Sequence, residues 1–187
     1  MKTIASGLSL PSCVKPPDVK IILICEALPE DLVDYFYTSS DSLFVTNVVD
    51  AFNQAKINVT NIKDIVSKGV YLTVAVKQAR KGLVVPTKLI ERHSYILEEE
   101  LDLFPNVKAV LLMGDAAIKA INFISRRKYG KRVIPAGSTY KIRKANFFFG
   151  DIRAFPSYLP TGKNFLIEKS KRAMVADDIQ NAFKLIS

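Results

Sequence analysis

Two cysteines in 187 residues are too few for a disulfide framework or a four-cysteine metal site, so Cys13 and Cys25 read as isolated thiols. Histidine is scarcer still. His93 is the only one, set mid-helix and far in sequence from every candidate loop, which removes a Ser-His-Asp set and a histidine metal cluster and points to a surface role. The longest apolar stretches, Val19 to Cys25 and Val107 to Met113, fall well short of the roughly 20 residues a membrane-spanning helix needs. A phosphate loop of the GxxxxGK[ST] form is missing too, because Gly162-Lys163-Asn164 lacks both the upstream glycine and the hydroxyl. The segment from Met1 to Pro17 is broken by Gly7, Ser9, Pro11 and Ser12, reads as loosely packed rather than as a signal peptide, and predicts a cytoplasmic location.

Acidic residues are in short supply as well: 18 Asp and Glu face 27 Lys and Arg, a formal net charge of +9. That balance suits a polyanionic partner, because neutralised phosphates release condensed counterions. The excess is concentrated late in the chain, at Arg126 to Arg132, at Lys141 to Lys144, and at Lys163 to Arg172. With 49% hydrophobic and 24% charged residues, the composition is that of an ordinary globular chain, and its length suits one domain.

Short apolar runs alternate with helical stripes, the pattern of a mainly parallel sheet covered on both faces. Val19 to Cys25, Val70 to Val76, Val107 to Met113 and Phe147 to Phe155 read as strands. Ser42 to Ala55, capped by Asp41 or Ser42, Asn61 to Lys68, Thr87 to Leu103, Asp115 to Ser125 and Ser170 to Ile186 read as helices, with Lys77 to Pro86 a basic loop. The expected fold class is α/β, a three-layer α/β/α sandwich around a central four-stranded sheet, with right-handed crossovers. Ligands of such sheets sit at the carboxyl ends of strands. Those ends carry Cys25 to Asp31, Lys77 onward, Gly114-Asp115, and Pro156 to Asn164.

Glu26 follows a buried strand and precedes Pro29, a position suited to a general base or a cation stabiliser, and equally to a helix cap. Glu30, Asp31 and Asp34 read as first-turn acids. Of the three consecutive aromatics Tyr35, Phe36 and Tyr37, one can stack on a base; alternatively two are core and one covers a strand edge. Pro156 to Lys163 makes a stiff, exposed loop in which Ser157 and Lys163 can hold phosphates while Tyr158 or Leu159 wedges into a base stack. Asp115 is expected to cap the helix that follows the third strand.

Ile24 to Asp31, Val107 to Ala117 and Phe155 to Gly162, taken in order, resemble the signatures of the uracil-DNA glycosylase superfamily, over roughly residues 18 to 186. The resemblance implies hydrolysis of the N-glycosidic bond of uracil or another deaminated base in DNA, with no cofactor or metal, DNA as the partner, a monomeric state and no membrane. Glu26 matches the carboxylate that positions water, and Gly114 the glycine ending the third strand. Ala27, Tyr37, Thr73 and Phe155 fall at base-contacting positions, and Lys77, Ser157, Tyr158, Leu159 and Lys163 at DNA-contacting ones. Bond cleavage builds positive charge on the sugar and negative charge on the departing base, and the base must first be flipped from its stack. Phe155 stands where the family carries a histidine donor, Val74 or Thr73 where a base-reading asparagine falls, with Asn47 a distant substitute, and the four cysteines of the iron–sulfur branch are absent. The alternative reading is a non-catalytic nucleic-acid-binding relative. A third, a small-molecule nucleotide hydrolase or transferase, calls for a compact phosphate loop that the chain lacks.

Overall fold

Runs such as Ile21-Ile22-Leu23-Ile24 have no polar side to offer water, so the strands that carry them are covered on both faces. The computed structural model describes residues 10–38, 41–79, 81–82, 84–160 and 168–186. Its strands are β1 (Ile21–Leu28), β2 (Val70–Ala79), β3 (Ala109–Met113), β4 (Phe147–Phe149) and β5 (Ile152–Ser157), and they form one sheet in the order β2-β1-β3-β5-β4. All neighbours are parallel except β4 and β5. The helices are α1 (Leu43–Gln54), α2 (Ile62–Ser67), α3 (Thr87–Leu101), α4 (Asp115–Tyr129), α5 (Thr139–Ile142) and α6 (Lys169–Phe183), around the sheet in an α/β/α arrangement.

The sheet has five strands, not four. The apolar run Phe147 to Phe155 is interrupted by Gly150-Asp151, and the chain folds back there into an antiparallel hairpin instead of one strand. Three further boundaries differ from expectation for a shared reason, that polar side chains can face inward when they find partners. β1 runs on through Glu26 to Leu28, with a register shift between Ala27 and Leu28. β2 runs through Lys77 to Ala79, so Lys77 belongs to a strand and not to a loop. β5 includes Ser157, which is buried and not part of an exposed loop. Helix α5, at four residues, is too short to give a periodic signal.

Local chemistry explains the helix starts. The Ser42 hydroxyl accepts from the Val45 N–H at 3.2 Å, and Asn61 accepts from the Asp64 N–H at 3.0 Å. Residues 10–17 are less loose than expected, since Val14 is buried and Leu10 packs against the core; residues 1–9 lie outside the described residues.

Register assigns each face. Ile24, Leu112 and Pro156 are level with one another across β1, β3 and β5, and alternation puts Glu26 on their face. Helices α3 and α4 cover that face. The other face, with Leu111, Phe155 and Ser157, packs under α6, against which α1 lies through a T-shaped Phe52–Phe183 contact. The connection from β1 leads to β2 on one side, and the connection from β2 crosses back to β3 on the other. The crossover direction therefore reverses between β1 and β3, and the crevice of this sheet lies there.

Candidate functional site

Glu26 stands at that reversal. Its side chain lies against Gly114, at the end of β3: a Cβ added to Gly114 would sit 2.7 Å from Glu26 Oε1. Gly114 also holds φ at +102°, which side-chain-bearing residues rarely adopt, so the close approach and the backbone both demand glycine here. Gly114 occupies the cap position of α4 and offers no side chain to its N–H groups, and Asp115 is the first helical residue rather than the expected cap. The carboxylate comes from Glu26 instead, whose Oε1 accepts from the Ala116 N–H at 3.4 Å. A half-buried carboxylate is thereby held at the positive end of a fifteen-residue helix, at the carboxyl edge of the sheet.

The remaining residues expected in the site do not gather around Glu26. Ala27 is buried and points to the opposite face of β1. Tyr37 covers a strand edge: its hydroxyl donates to the Leu72 carbonyl and accepts the Leu72 N–H, each at 3.0 Å, and its ring stacks on Tyr71. Burial pushes the Tyr37 phenol well above its ordinary range. Thr73 is fully buried, and its hydroxyl donates to Glu100 Oε1 at 2.9 Å. Phe155 is buried beneath α6, with the Arg153 guanidinium 4.5 Å above its ring.

Two polar residues expected to reach DNA are instead sequestered. Lys77, with a side chain 3% exposed, is paired with Glu100 and hydrogen-bonded to Thr73. Ser157, 1% exposed, donates to Asp178 Oδ2 at 2.7 Å, and Asp178 Oδ1 takes a second bond of 2.7 Å from Arg143. Glu26 and Ser157 both lie at the carboxyl edge, yet their side chains leave opposite faces of the sheet, so the strand ends Cys25 to Asp31 and Pro156 to Asn164 do not converge on one pocket through these two residues. Tyr158 and Leu159 are half-buried against the core, with Lys171 Nζ 5.6 Å from the Tyr158 ring; Lys163 lies outside the described residues.

Between β2 and α3 sits a polar cluster that sequence reading missed. Tyr71 donates to Glu100 Oε1 at 2.6 Å, Lys77 reaches the other Glu100 oxygen, and the Lys77 N–H donates to His93 Nδ1 at 3.2 Å. His93 is buried, not a surface residue, and burial followed by the nearby Arg92 and Lys77 charges lowers its pKa. The signal was positional: Tyr71, Thr73 and Lys77 share one face of a strand, and Glu100 follows buried Leu97 by three residues. Asn47, in the sequence a distant substitute for a base-reading asparagine, is buried as well. It is 1% exposed on α1, and its Nδ2 is the one buried side-chain nitrogen or oxygen among the described residues with no partner. The Ser42 hydroxyl donates to the Asp34 carbonyl at 3.0 Å and ties the start of α1 to the chain leaving β1.

Among the described residues no group of three His, Cys, Asp or Glu side chains could hold a metal ion, and no helix is long and apolar enough to cross a membrane. Burial pushes the Cys25 thiol far above its usual range, so it stays protonated. No protein-family model and no curated protein matches the chain.

Proposed function

We propose that this chain is a monofunctional DNA glycosylase acting on uracil or another deaminated base, as a monomer in the cytoplasm, with Glu26 handling the water. The observation that carries the reading is the Glu26 carboxylate, held by β1 and the start of α4 at the point where the crossover direction reverses. The parallel strands and the +9 charge agree with it.

In this reading the C1′–N bond of a flipped nucleotide breaks, its electron pair leaves with the base, and water oxygen bonds to C1′. Glu26 orients that water, accepts its proton and offsets the positive charge that grows on the sugar. The base anion needs a donor, which Phe155 and Thr73 do not supply.

The test is base release from single- and double-stranded oligonucleotides containing uracil, hypoxanthine or xanthine. Wild-type protein is expected to leave abasic sites, and Glu26→Gln, which keeps the size of the side chain, to lose about 10²–10³ in rate. No release across the panel by folded wild-type protein, or unchanged release by Glu26→Gln, rejects the proposal. The inward-turned Lys77, Ser157 and Phe155 favour a second reading, a non-catalytic binder, which predicts salt-dependent DNA binding without base release.

A further inference from the structure

The corner where β4 meets β5 is left open beside α6. Phe148 lies directly opposite Arg153 in the antiparallel pair, on the face that α6 covers, and is 57% exposed. Arg153 is fixed beneath it. Its Nη1 donates to the carbonyls of Phe147 and Ala154 at 3.0 and 2.9 Å, and its Nη2 to the Ala145 carbonyl and Asn146 Oδ1 at 3.0 and 2.9 Å. Its guanidinium lies 4.5 Å over the Phe155 ring and 5.6 Å from the Phe148 ring. An exposed aromatic face is thus backed by a locked cation, and little conformational freedom remains to be lost when something stacks on it.

On the other side of Arg153 from this ring runs a groove of about 570 Å³, lined by Arg153 itself, whose other charged residues are Arg143, Lys144 and Lys184 against Asp177 and Asp178. Asp178 is taken up by Arg143, so three cations face one remaining acid, Asp177, which itself approaches Arg143 at 3.8 Å. Asn146 and Asn181 add amides to the lining. Among the described residues β4 pairs only with β5, so no further strand covers its outer edge.

We propose that this corner is a platform for single-stranded nucleic acid, with a base stacked on Phe148 and the flanking phosphates in the groove at Lys144 and Lys184. Stacking selects a single strand because in a duplex the faces of each base are taken up by its stacked neighbours, and the excess of cations selects a polyanion. The platform lies two strands from β1, and Arg153 is level with Ala109 at the amino end of β3, whereas Glu26 stands at the carboxyl end. It shares the nucleic-acid partner of the proposed function but does not depend on Glu26 or on hydrolysis.

The experiment is fluorescence anisotropy with a labelled, undamaged oligothymidine of about 16 nucleotides, a length covering one binding site of this kind. Wild-type protein should bind, with log affinity falling as log salt rises. Phe148→Ala should weaken binding by about five- to a hundredfold, and Phe148→Trp should restore it. Lys144→Glu should weaken binding and flatten the salt slope. Both side chains are exposed, and an unchanged melting temperature confirms that the variants fold. Glu26→Gln should bind as wild type does, which separates this proposal from the glycosylase reading: base release can be absent while the platform stands, or present while it falls. No binding by wild-type protein at low salt, wild-type affinity in both Phe148→Ala and Lys144→Glu, or binding of an acidic protein but not of oligothymidine overturns it.

Discussion

Gly114 has no room for a side chain, because the Glu26 carboxylate fills the space where a Cβ would go. Gly114→Ala should lower stability by about 1–3 kcal/mol through backbone strain at positive φ, and more through the displaced carboxylate. The two contributions separate in a double-mutant cycle: in a Glu26→Ala background the steric part disappears, so Gly114→Ala should cost less there in urea denaturation. Equal costs in the two backgrounds would show that the close approach is not responsible. This pair was half legible in the sequence. Glu26 and Gly114 both stood out at strand ends, but their meeting joins residues far apart in the chain and depends on β1 and β3 being neighbours, which periodicity does not reveal. Asn47 was legible only as a distant substitute for a base-reading amide, since its lack of a partner is a property of the packed molecule.

At the level of elements, β2 and α3 are held together by a buried ionic cluster. Glu100→Ala would leave the Lys77 ammonium uncompensated in the interior and should cost about 3–5 kcal/mol, whereas Lys77→Met combined with Glu100→Leu should recover most of that loss. Chemical denaturation of the three variants measures both. His93, locked to the same strand through the Lys77 N–H, has a folded pKa below the ordinary histidine value of 6.5. The unfolded chain therefore binds more protons in that window, so stability is full above about pH 6.5 and falls as pH drops toward the folded pKa. A melting-temperature series from about pH 7.5 to 5 should show this loss, and His93→Gln should reduce it; because no other histidine is present, the imidazole NMR signal gives the folded pKa directly. Equal slopes in wild type and variant would assign the pH dependence elsewhere. The elements themselves were mostly readable, because strands buried on both faces leave unbroken apolar runs. The misplacements came where polar residues face inward: Lys77 and Ser157 looked like the ends of strands because their partners, Glu100 and Asp178, lie on helices that follow much later.

For the molecule as a whole, the +9 charge is expected to appear as a salt dependence of any nucleic-acid binding. Taking away one phosphate-binding cation should reduce the magnitude of the slope of log affinity against log salt by about 0.7 for a single strand, so Lys184→Ala and Lys144→Ala should each flatten it by about that amount. Titration at several salt concentrations checks this, and slopes unchanged in both variants would place the phosphates on another surface.

The two rims of the sheet differ in one further respect. At β2 the Tyr37 hydroxyl occupies both the donor and the acceptor of Leu72, while β4 has no such plug among the described residues. A sheet closed at one rim can recruit a strand only at the other. Association through backbone pairing would then end with two copies joined at β4, and an endless ribbon would require Tyr37 to be pulled away first. Tyr37→Phe removes that plug, and concentrated solutions of this variant are expected to grow larger species by light scattering where wild-type protein does not.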